Sequence, residues 1–383
     1  MADRLRDLPP YLFARIDRMK SEAVSRGVDV IDLGVGDPDV PPPEKVVRRL
    51  MEAVNERGSH HYSSYSGIEK LRQAFAEWFE KRFAVVLDPD REILPLIGSK
   101  EGIGHIYFAL VNSGDEVLIP DPGYPVYTAG ATLVGAVARY FPLREDHGFL
   151  PDMESLKKQV TAKTRMLWLN YPSNPTTALA GLDDYEKMVH LARAGGFIVC
   201  HDAAYSEIVF DGKISPSFLQ VPGGKETAVE FHSLSKTFCM PGWRVGFAVG
   251  NREVISALAK VKTNLDSGIF LPVQEAAVTA LRECGEDTEK IRSIFEARRN
   301  RFVSALNGAG WNVPSPPATF YVWMKVPGKW DSMGFTSHLL EKCGIVSTPG
   351  VGFGANGEGF IRMSLTLPED RLEKAIARLV RMR

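Results

Sequence analysis

Phe231-His232-Ser233-Leu234-Ser235-Lys236-Thr237-Phe238 ends an apolar run in two hydroxyl groups and a lysine, and Arg244 follows soon after. A lysine at the end of a buried strand is costly unless it is used, because ammonium groups are rarely buried without a partner. One use is condensation with an aldehyde to give an imine, as lysines do with pyridoxal 5′-phosphate (PLP). Ser233, Ser235 and Arg244 would then donate to the phosphate of that cofactor. The alternative is a loop lysine that caps a turn.

Short apolar runs alternate with helical patterns through the middle of the chain. The runs that read as strands are Ile93–Ile97, Glu116–Pro120, Val137–Leu143, Arg165–Asn170, Phe197–His201, Ala228–His232 and Arg244–Val249. Segments of helical period, such as Leu182–Ala194, lie between most of them. This alternation predicts an α/β fold with a mostly parallel seven-stranded sheet that helices cover on both faces. Ligands of such sheets gather at the carboxyl ends of the strands.

The same pattern predicts three parts along the chain. Residues 1–43 form an N-terminal arm that is too short to bury its own core, so we expect it to pack on the small domain or on a partner subunit. Residues 44–284 form the large sheet domain, and residues 285–383 form a smaller α+β cap domain. The cap is predicted from helices at Thr288–Asn307, Phe335–Lys342 and Glu369–Arg383 and from strands at Thr319–Val326 and Phe360–Leu365.

Composition limits the class of protein. The 383 residues carry a net charge of −1, which argues against a nucleic-acid partner or an anionic membrane surface. The four cysteines form no Cys-x-x-Cys pair, so neither a metal site nor a disulfide framework is expected. No signal peptide is recognisable, and no run approaches the ~18 apolar residues of a membrane span. We therefore expect a cytoplasmic protein.

Asp202 follows the apolar run Phe197–His201, and Tyr205 comes three residues later. A carboxylate beside a pyridine nitrogen keeps that nitrogen protonated, which is the form that stores electrons during catalysis. The phenol of Tyr205 could reach the 3-oxygen of the same ring. Alternatively, Asp202 is the N-cap of a helix over Ala203–Ile208.

Other strand ends carry polar residues too. Asn174 lies in a turn stiffened by two prolines, which would hold its amide in one place for the 3-oxygen; the alternative is an ordinary Asn-Pro turn. Ser99 and the backbone of Lys100 open a helix after Gly98, which favours an anion. Tyr124 could lie flat on an aromatic ring, although such tyrosines often only pack in loops.

Arg362 is the one charged residue inside the apolar segment Phe360–Leu365. A buried arginine needs an anion, and a substrate carboxylate is a good two-pronged partner. An arginine on an edge strand that reaches solvent is the alternative.

Together, these segments resemble the fold type I PLP enzymes of the class I/II aminotransferase group over essentially the whole chain. The resemblance implies that Lys236 holds the cofactor and carries the proton between it and the substrate. It also implies a homodimer, with Tyr62 reaching the phosphate of the neighbouring subunit. The other positions it implies for the cofactor are Ser99, Lys100, Tyr124, Asn174, Asp202, Tyr205, Ser233, Ser235 and Arg244. Those implied for the substrate are Arg362, Gly36, Tyr11 and Asn174.

Several phrases look most similar to the LL-diaminopimelate aminotransferases, including Leu96-Ile97-Gly98-Ser99-Lys100-Glu101-Gly102-Ile103 and Pro349-Gly350-Val351-Gly352-Phe353-Gly354. The resemblance thus implies amino transfer from LL-diaminopimelate to 2-oxoglutarate in lysine biosynthesis, by a ping-pong mechanism. One position departs from the pattern, because Tyr65 stands where the better-known branch has a glutamate for the distal ammonium group. A broader aminotransferase for glutamate, aspartate or alanine therefore stays open.

Two further classes compete with this interpretation. A carbon–sulfur β-lyase would use the same lysine, aspartate and arginine, and only its products would distinguish it. A regulator built on this fold would need a DNA-binding extension, and no basic helix-turn-helix segment precedes Leu33.

Overall fold

The computed structural model of the protein describes residues 2–8 and 12–382. Its strands are β1 Ile31–Asp32, β2 Ile93–Leu96, β3 Glu116–Asp121, β4 Val137–Pro142, β5 Thr164–Asn170, β6 Ile198–Asp202, β7 Ala228–Ser233, β8 Gly246–Gly250, β9 Tyr321–Lys325, β10 Ile345–Val346, β11 Thr348–Pro349 and β12 Phe360–Ser364. Its α-helices are α1 Leu12–Ser25, α2 Glu44–Val54, α3 Glu69–Phe83, α4 Ser99–Leu110, α5 Val126–Val134, α6 Met153–Gln159, α7 Leu182–Gly195, α8 Gly224–Thr227, α9 Leu234–Thr237, α10 Arg252–Leu265, α11 Leu271–Glu283, α12 Gly285–Gly308, α13 Ser332–Cys343 and α14 Glu369–Met382.

The large sheet has seven strands in the order β2-β8-β7-β6-β5-β3-β4. Strands β4, β3, β5, β6 and β7 run parallel, whereas β8 is antiparallel to both of its neighbours. The predicted seven-stranded, mostly parallel sheet is therefore confirmed. Its register aligns the ends of the central strands, because Asn170 pairs with Asp202 and Asp202 pairs with Phe231. Polar residues that follow these strands consequently meet at one edge.

Helices cover both faces of this sheet, as the uniformly apolar strands predicted. Along β5, Met166 and Trp168 belong to one buried cluster, while Leu167 and Leu169 belong to the cluster on the opposite face. Successive side chains of a strand point to opposite faces, so both faces of β5 need apolar cover. Burial of each large apolar side chain contributes about 1.5–3 kcal/mol to the stability of the fold.

Two smaller sheets are built from the C-terminal part of the chain and the arm. Strands β11, β12 and β9 form an antiparallel sheet with β12 in the centre, and β1 of the arm pairs in parallel with β10. Ile16 and Ala23 of α1 pack against Leu340 of α13 and Val346 of β10. The arm thus packs on the C-terminal elements, while the domain boundaries at residues 43 and 284 stay predictions. Of the helices in the described residues, none has the length and the apolar run needed to cross a membrane.

Candidate active site

A cavity of about 390 Å³ lies at the carboxyl ends of the central strands. It is lined by twelve of the fourteen residues that the sequence nominated for cofactor or substrate: Gly36, Ser99, Lys100, Tyr124, Asn174, Asp202, Tyr205, Ser233, Ser235, Lys236, Arg244 and Arg362. A larger cleft of about 780 Å³ lies between the Glu145–Phe149 region and the segment around Trp323. That cleft contains the lysines Lys213 and Lys325, but Glu145, the carboxylate among its described lining residues, is exposed and pairs with Lys325. The smaller cavity has a buried carboxylate and a lysine at neighbouring strand ends, so it is the candidate for chemistry.

Lys236 lies in the short helix α9, directly after β7. The Ser233 hydroxyl caps this helix by accepting a 3.2 Å hydrogen bond from the backbone N–H of Ser235. The Lys236 Nζ donates to the carbonyl oxygen of Gly36 at 3.1 Å and lies 5.4 Å from the centre of the Phe320 ring. Burial lowers the pKa of the Lys236 amine. The neutral, nucleophilic amine is therefore available nearer to neutral pH than that of an exposed lysine.

Asp202 is the last residue of β6, and its side chain is buried. Its Oδ2 accepts a 2.8 Å hydrogen bond from the hydroxyl of Tyr127, and its Oδ1 lies 3.4 Å from the backbone N–H of Ala204. The alternative of a helix N-cap is wrong, because the chain turns after Asp202 instead of forming a helix. Burial raises the pKa of Asp202, although the hydrogen bond from Tyr127 opposes this. A cation beside this carboxylate would therefore stabilise its ionised form.

Asn170, which sequence reasoning did not nominate, ties the ends of β5 and β6 together. Its Nδ2 donates to the carbonyl oxygen of Asp202 at 2.7 Å, and its Oδ1 accepts from the backbone N–H of Asn174 at 2.8 Å. The position of Asn174 is thus fixed from inside the sheet as well as by its prolines. A polar residue at the end of a buried strand was the only signal in the sequence.

Arg362 lies on β12, the central strand of its sheet, and is only 3% exposed. The alternative of an edge-strand arginine in solvent is therefore wrong. Its Nη1 donates to Oδ1 of Asn174 and its Nη2 to the carbonyl oxygen of Gly34, both at 2.7 Å, while its buried Nε has no hydrogen-bond partner. No carboxylate pairs with Arg362 among the described residues. A guanidinium bonded only to neutral acceptors and open to a cavity suits a carboxylate ligand.

The opposite side of the cavity is suited to an anion such as a phosphate. Ser99 begins α4, and Ser233, Ser235 and Arg244 line the same space. Gly98 precedes the helix with φ +77°, and a Cβ there would lie 2.2 Å from Nη2 of Arg244. Only glycine therefore lets the backbone approach the guanidinium so closely. The helix N-terminus, the hydroxyl groups and the guanidinium all favour negative charge.

Glu101 stabilises the turn between β2 and α4. Its Oε2 accepts from the backbone N–H of Ile97 at 2.7 Å and from Nζ of Lys262 at 3.2 Å. His105 and Asp266 lie close enough to Glu101 for the three to resemble a metal-ligand set. However, the ammonium group of Lys262 also lies 2.7 Å from Oδ1 of Asp266 and supplies positive charge there.

Tyrosines form the wall between the lysine and Arg362. The hydroxyl of Tyr205 lies 3.0 Å from that of Tyr321, and burial raises the pKa of Tyr205 well above its usual value. Tyr321 was not nominated from the sequence, although it lines the cavity and its ring lies 4.1 Å from the Arg362 guanidinium carbon. A Cβ on Gly36 would meet the Tyr321 hydroxyl at 1.9 Å. Glycine is thus required at position 36 for close packing.

The two other nominated residues are Tyr62 and Tyr11. Tyr62 is 94% exposed and is not among the described residues that line the cavity. Tyr11 lies outside the described residues. Tyr65 is 45% exposed.

Comparison with known proteins agrees with the geometry of the site. A sequence model of the family "Aminotransferase class I and II" matches residues 28–379. The LL-diaminopimelate aminotransferase of Aquifex aeolicus is 49% identical, across 99% of this chain and 98% of its own. LL-diaminopimelate aminotransferase 2 of Nostoc sp. is 46% identical, across 99% and 97%. The substrate-bound structure of BacF from Bacillus subtilis superimposes with a TM-score of 0.95 at 34% identity, across 100% and 97%.

Proposed function

The chain belongs to the class I and II aminotransferases, and from that premise we propose that it transfers the amino group of LL-diaminopimelate to 2-oxoglutarate. As a member of this family it is a transaminase that depends on PLP and acts on small molecules. The proposed donor is supported by the sequence identity of 46% and 49% to two LL-diaminopimelate aminotransferases over nearly the whole chain. We propose a role in lysine biosynthesis on the same ground.

The residues of the cavity fit the cofactor in charge and chemistry. Ser99, the backbone of Lys100, Ser233, Ser235 and Arg244 would hold the phosphate at the start of α4. Asp202 would pair with the protonated pyridine nitrogen. The pKa of Asp202 is raised because its carboxylate is buried without a cation beside it, and the pyridinium would supply that cation. Asn174 and Tyr205 would hold the 3-oxygen, and Tyr124 would stack on the ring.

When bound, the cofactor supplies an electron sink for the charge that develops on the substrate α-carbon. Arg362 would take the α-carboxylate, with the Gly36 backbone beside it, and so orient the α-hydrogen. Lys236, the partly buried amine in contact with Gly36, would first hold the cofactor and then carry the proton from the α-carbon. Its lowered pKa suits it to act as a base near neutral pH.

A homodimer with shared sites is part of the proposal. Its support is the ring of Tyr62, which is 94% exposed although the resemblance assigns it to a phosphate site. Mixing Tyr62→Ala and Lys236→Ala proteins tests this, since a mixed dimer would contain one site with both natural residues. Recovered activity is expected, and none would indicate that Tyr62 does not act across subunits. The cytoplasmic location stays a prediction.

The donor is tested by single half-reactions. PLP-loaded enzyme is mixed in turn with LL-diaminopimelate, glutamate, aspartate and alanine while the absorbance of the bound cofactor is followed. We expect LL-diaminopimelate to convert the cofactor at least as fast as the others. In steady-state assays, double-reciprocal plots at several 2-oxoglutarate concentrations should give the parallel lines of a ping-pong mechanism. Failure of LL-diaminopimelate to react would refute the proposed donor, whereas pyruvate release from cystathionine without an acceptor would indicate a lyase.

A further inference from the structure

The cavity has an unequal balance of charge. Of the described residues that line it, four have cationic side chains, namely Lys100, Lys236, Arg244 and Arg362, and two have anionic ones, Asp17 and Asp202. Asp202 is buried at the end of β6 and bonded to Tyr127, so a substrate side chain cannot use it. Asp17 is therefore the carboxylate left for a cationic group of a ligand, among the described residues that line the cavity.

Asp17 is held in place by the helix that carries it. On α1, the neighbouring Ile16 and the more distant Ala23 are buried against α13 and β10, which fixes how the helix is turned. Asp17 itself is exposed at the cavity. Its backbone oxygen accepts from the Ser21 hydroxyl, but its carboxylate has no hydrogen-bond or ion-pair partner in the described part of the chain.

Nearby carboxylates of the arm differ in this respect. Asp32 pairs with Lys20 at 2.6 Å, and Asp39 pairs with Arg298 at 2.6 Å. Asp32 and Asp39 are thus neutralised within the chain, whereas Asp17 has no ion-pair partner among the described residues. An exposed carboxylate that lines a mostly cationic cavity, and has no partner among the described residues, is a site for an ammonium ion.

We propose that Asp17 binds the second ammonium group, at the far end of the amino donor. This inference rests on the proposed function, because LL-diaminopimelate carries an amino acid group at each end. Arg362 would take the near carboxylate and Lys236 would act at the near α-carbon, so a charged partner is still required for the far ammonium group. Tyr65 has a phenol in place of a carboxylate and does not supply that charge. Donors without a far cation gain nothing from Asp17, so this residue sets specificity and takes no part in the bond changes.

The test compares two donors of equal length on the Asp17→Asn variant. L-2-Aminopimelate has the far carboxylate of LL-diaminopimelate but lacks the far ammonium group. We expect the ratio of kcat/KM for LL-diaminopimelate to that for L-2-aminopimelate to fall about tenfold or more in the variant. Asp17→Glu should recover most of the ratio. In Asp17→Asn, the KM for LL-diaminopimelate should depend less on salt than in the natural enzyme, because one ionic contact is removed.

Glu22→Gln is the matched control, since Glu22 is an exposed carboxylate on the same helix that does not line the cavity. It removes the same charge and should leave the ratio unchanged. Binding is measured separately, as the dissociation constant of LL-diaminopimelate on a Lys236→Ala background, where turnover does not interfere.

The outcomes separate this inference from the proposed function. If the natural enzyme does not react with LL-diaminopimelate, the proposed function fails, and the inference fails with it. If the natural enzyme does react but Asp17→Asn leaves the ratio and the dissociation constant as they were, the role of Asp17 alone is overturned. Equal changes for Asp17→Asn and Glu22→Gln would also overturn it, because they would indicate a general effect of charge.

Discussion

The hydroxyl of Tyr127 donates a 2.8 Å hydrogen bond to Oδ2 of Asp202, and both residues are buried. The Tyr127 ring is stacked on Trp168 at 4.6 Å, so the phenol has little freedom to turn away. Burial raises the pKa of Asp202 and the hydrogen bond from Tyr127 holds it down. Tyr127 thus positions the carboxylate that would face the cofactor nitrogen and favours its charged form.

Tyr127→Phe should weaken cofactor binding. Without the phenol, the pKa of Asp202 rises further and the carboxylate becomes a poorer partner for a pyridinium. A hydrogen bond to a charged group contributes about 1.5–3 kcal/mol, so we expect the PLP dissociation constant to rise about tenfold or more. Absorbance titration of the apoenzyme measures it.

Tyr107→Phe is the control for that substitution. The Tyr107 hydroxyl is also buried, but it donates to the backbone oxygen of Tyr127 and not to Asp202. A similar loss of PLP affinity in both variants would contradict a specific role for the Tyr127 phenol.

Gly98→Ala should weaken only the binding of the cofactor phosphate. The new methyl group would lie 2.2 Å from Nη2 of Arg244, and alanine at φ +77° is itself strained by about 1–2 kcal/mol. We expect the preference of the apoenzyme for PLP over pyridoxal, which lacks the phosphate, to fall severalfold. Gly104→Ala, in the same helix with open space around it, should keep the preference. An unchanged preference in Gly98→Ala would argue against phosphate binding here.

Glu230→Gln should change how stability depends on pH. Glu230 is fully buried, and burial opposes its ionisation. Interactions with His201, whose Nδ1 lies 2.7 Å from Oε1, and with His232, whose Nε2 lies 3.5 Å from Oε2, nevertheless lower the pKa of Glu230 well below the ordinary 4.5. An acid whose pKa is lower in the folded state stabilises the fold above its unfolded pKa, and this stabilisation is lost as the pH falls below about 4.5.

The measurement for Glu230 is urea unfolding at several pH values. At pH 7 we expect the variant to lose about 3–5 kcal/mol, as when one partner of a buried pair is removed. The natural protein should then lose stability more steeply than the variant below about pH 4.5. Glu226→Gln removes an exposed carboxylate nearby and should follow the natural protein. Parallel curves for Glu230→Gln would show that Glu230 is not ionised in the fold.

Lys236 should react with aldehydes at lower pH than other lysines. Because burial lowers the pKa of the Lys236 amine, its neutral form is populated at lower pH than that of an ordinary exposed lysine. Lys81, which is exposed, serves as the comparison. Apoenzyme is treated with pyridoxal and borohydride over a range of pH, and modified lysines are identified by mass spectrometry. Labelling of Lys236 and Lys81 with the same pH profile would contradict the lowered pKa.

The sequence predicted the large sheet well because its strands are buried on both faces and therefore read as apolar runs. Strand β8 was placed to begin two residues too early, since Arg244 adopts a left-handed conformation in the turn before Gly246, and β6 was placed one residue too early. The two-residue strands β1, β10 and β11 were missed because they are too short for a periodic pattern.

The site was predictable where one strand end carries its own polar residue, as at Asp202 and Lys236. It was not predictable where the role depends on contacts between distant segments. Tyr127 reaches Asp202 from a helix, Tyr321 reaches Tyr205 from another sheet, and Asp17 lines the cavity from the arm. The spacing of residues along the sequence does not predict these contacts.

The guanidinium of Arg362 joins β12 to the loop after β5 through Asn174, and to the arm through Gly34. A carboxylate that enters the cavity competes for those same N–H groups. When an amino acid binds, Arg362 would therefore exchange hydrogen bonds within the protein for hydrogen bonds to the ligand. The same side chain thus takes part both in ligand binding and in holding the two sheets together.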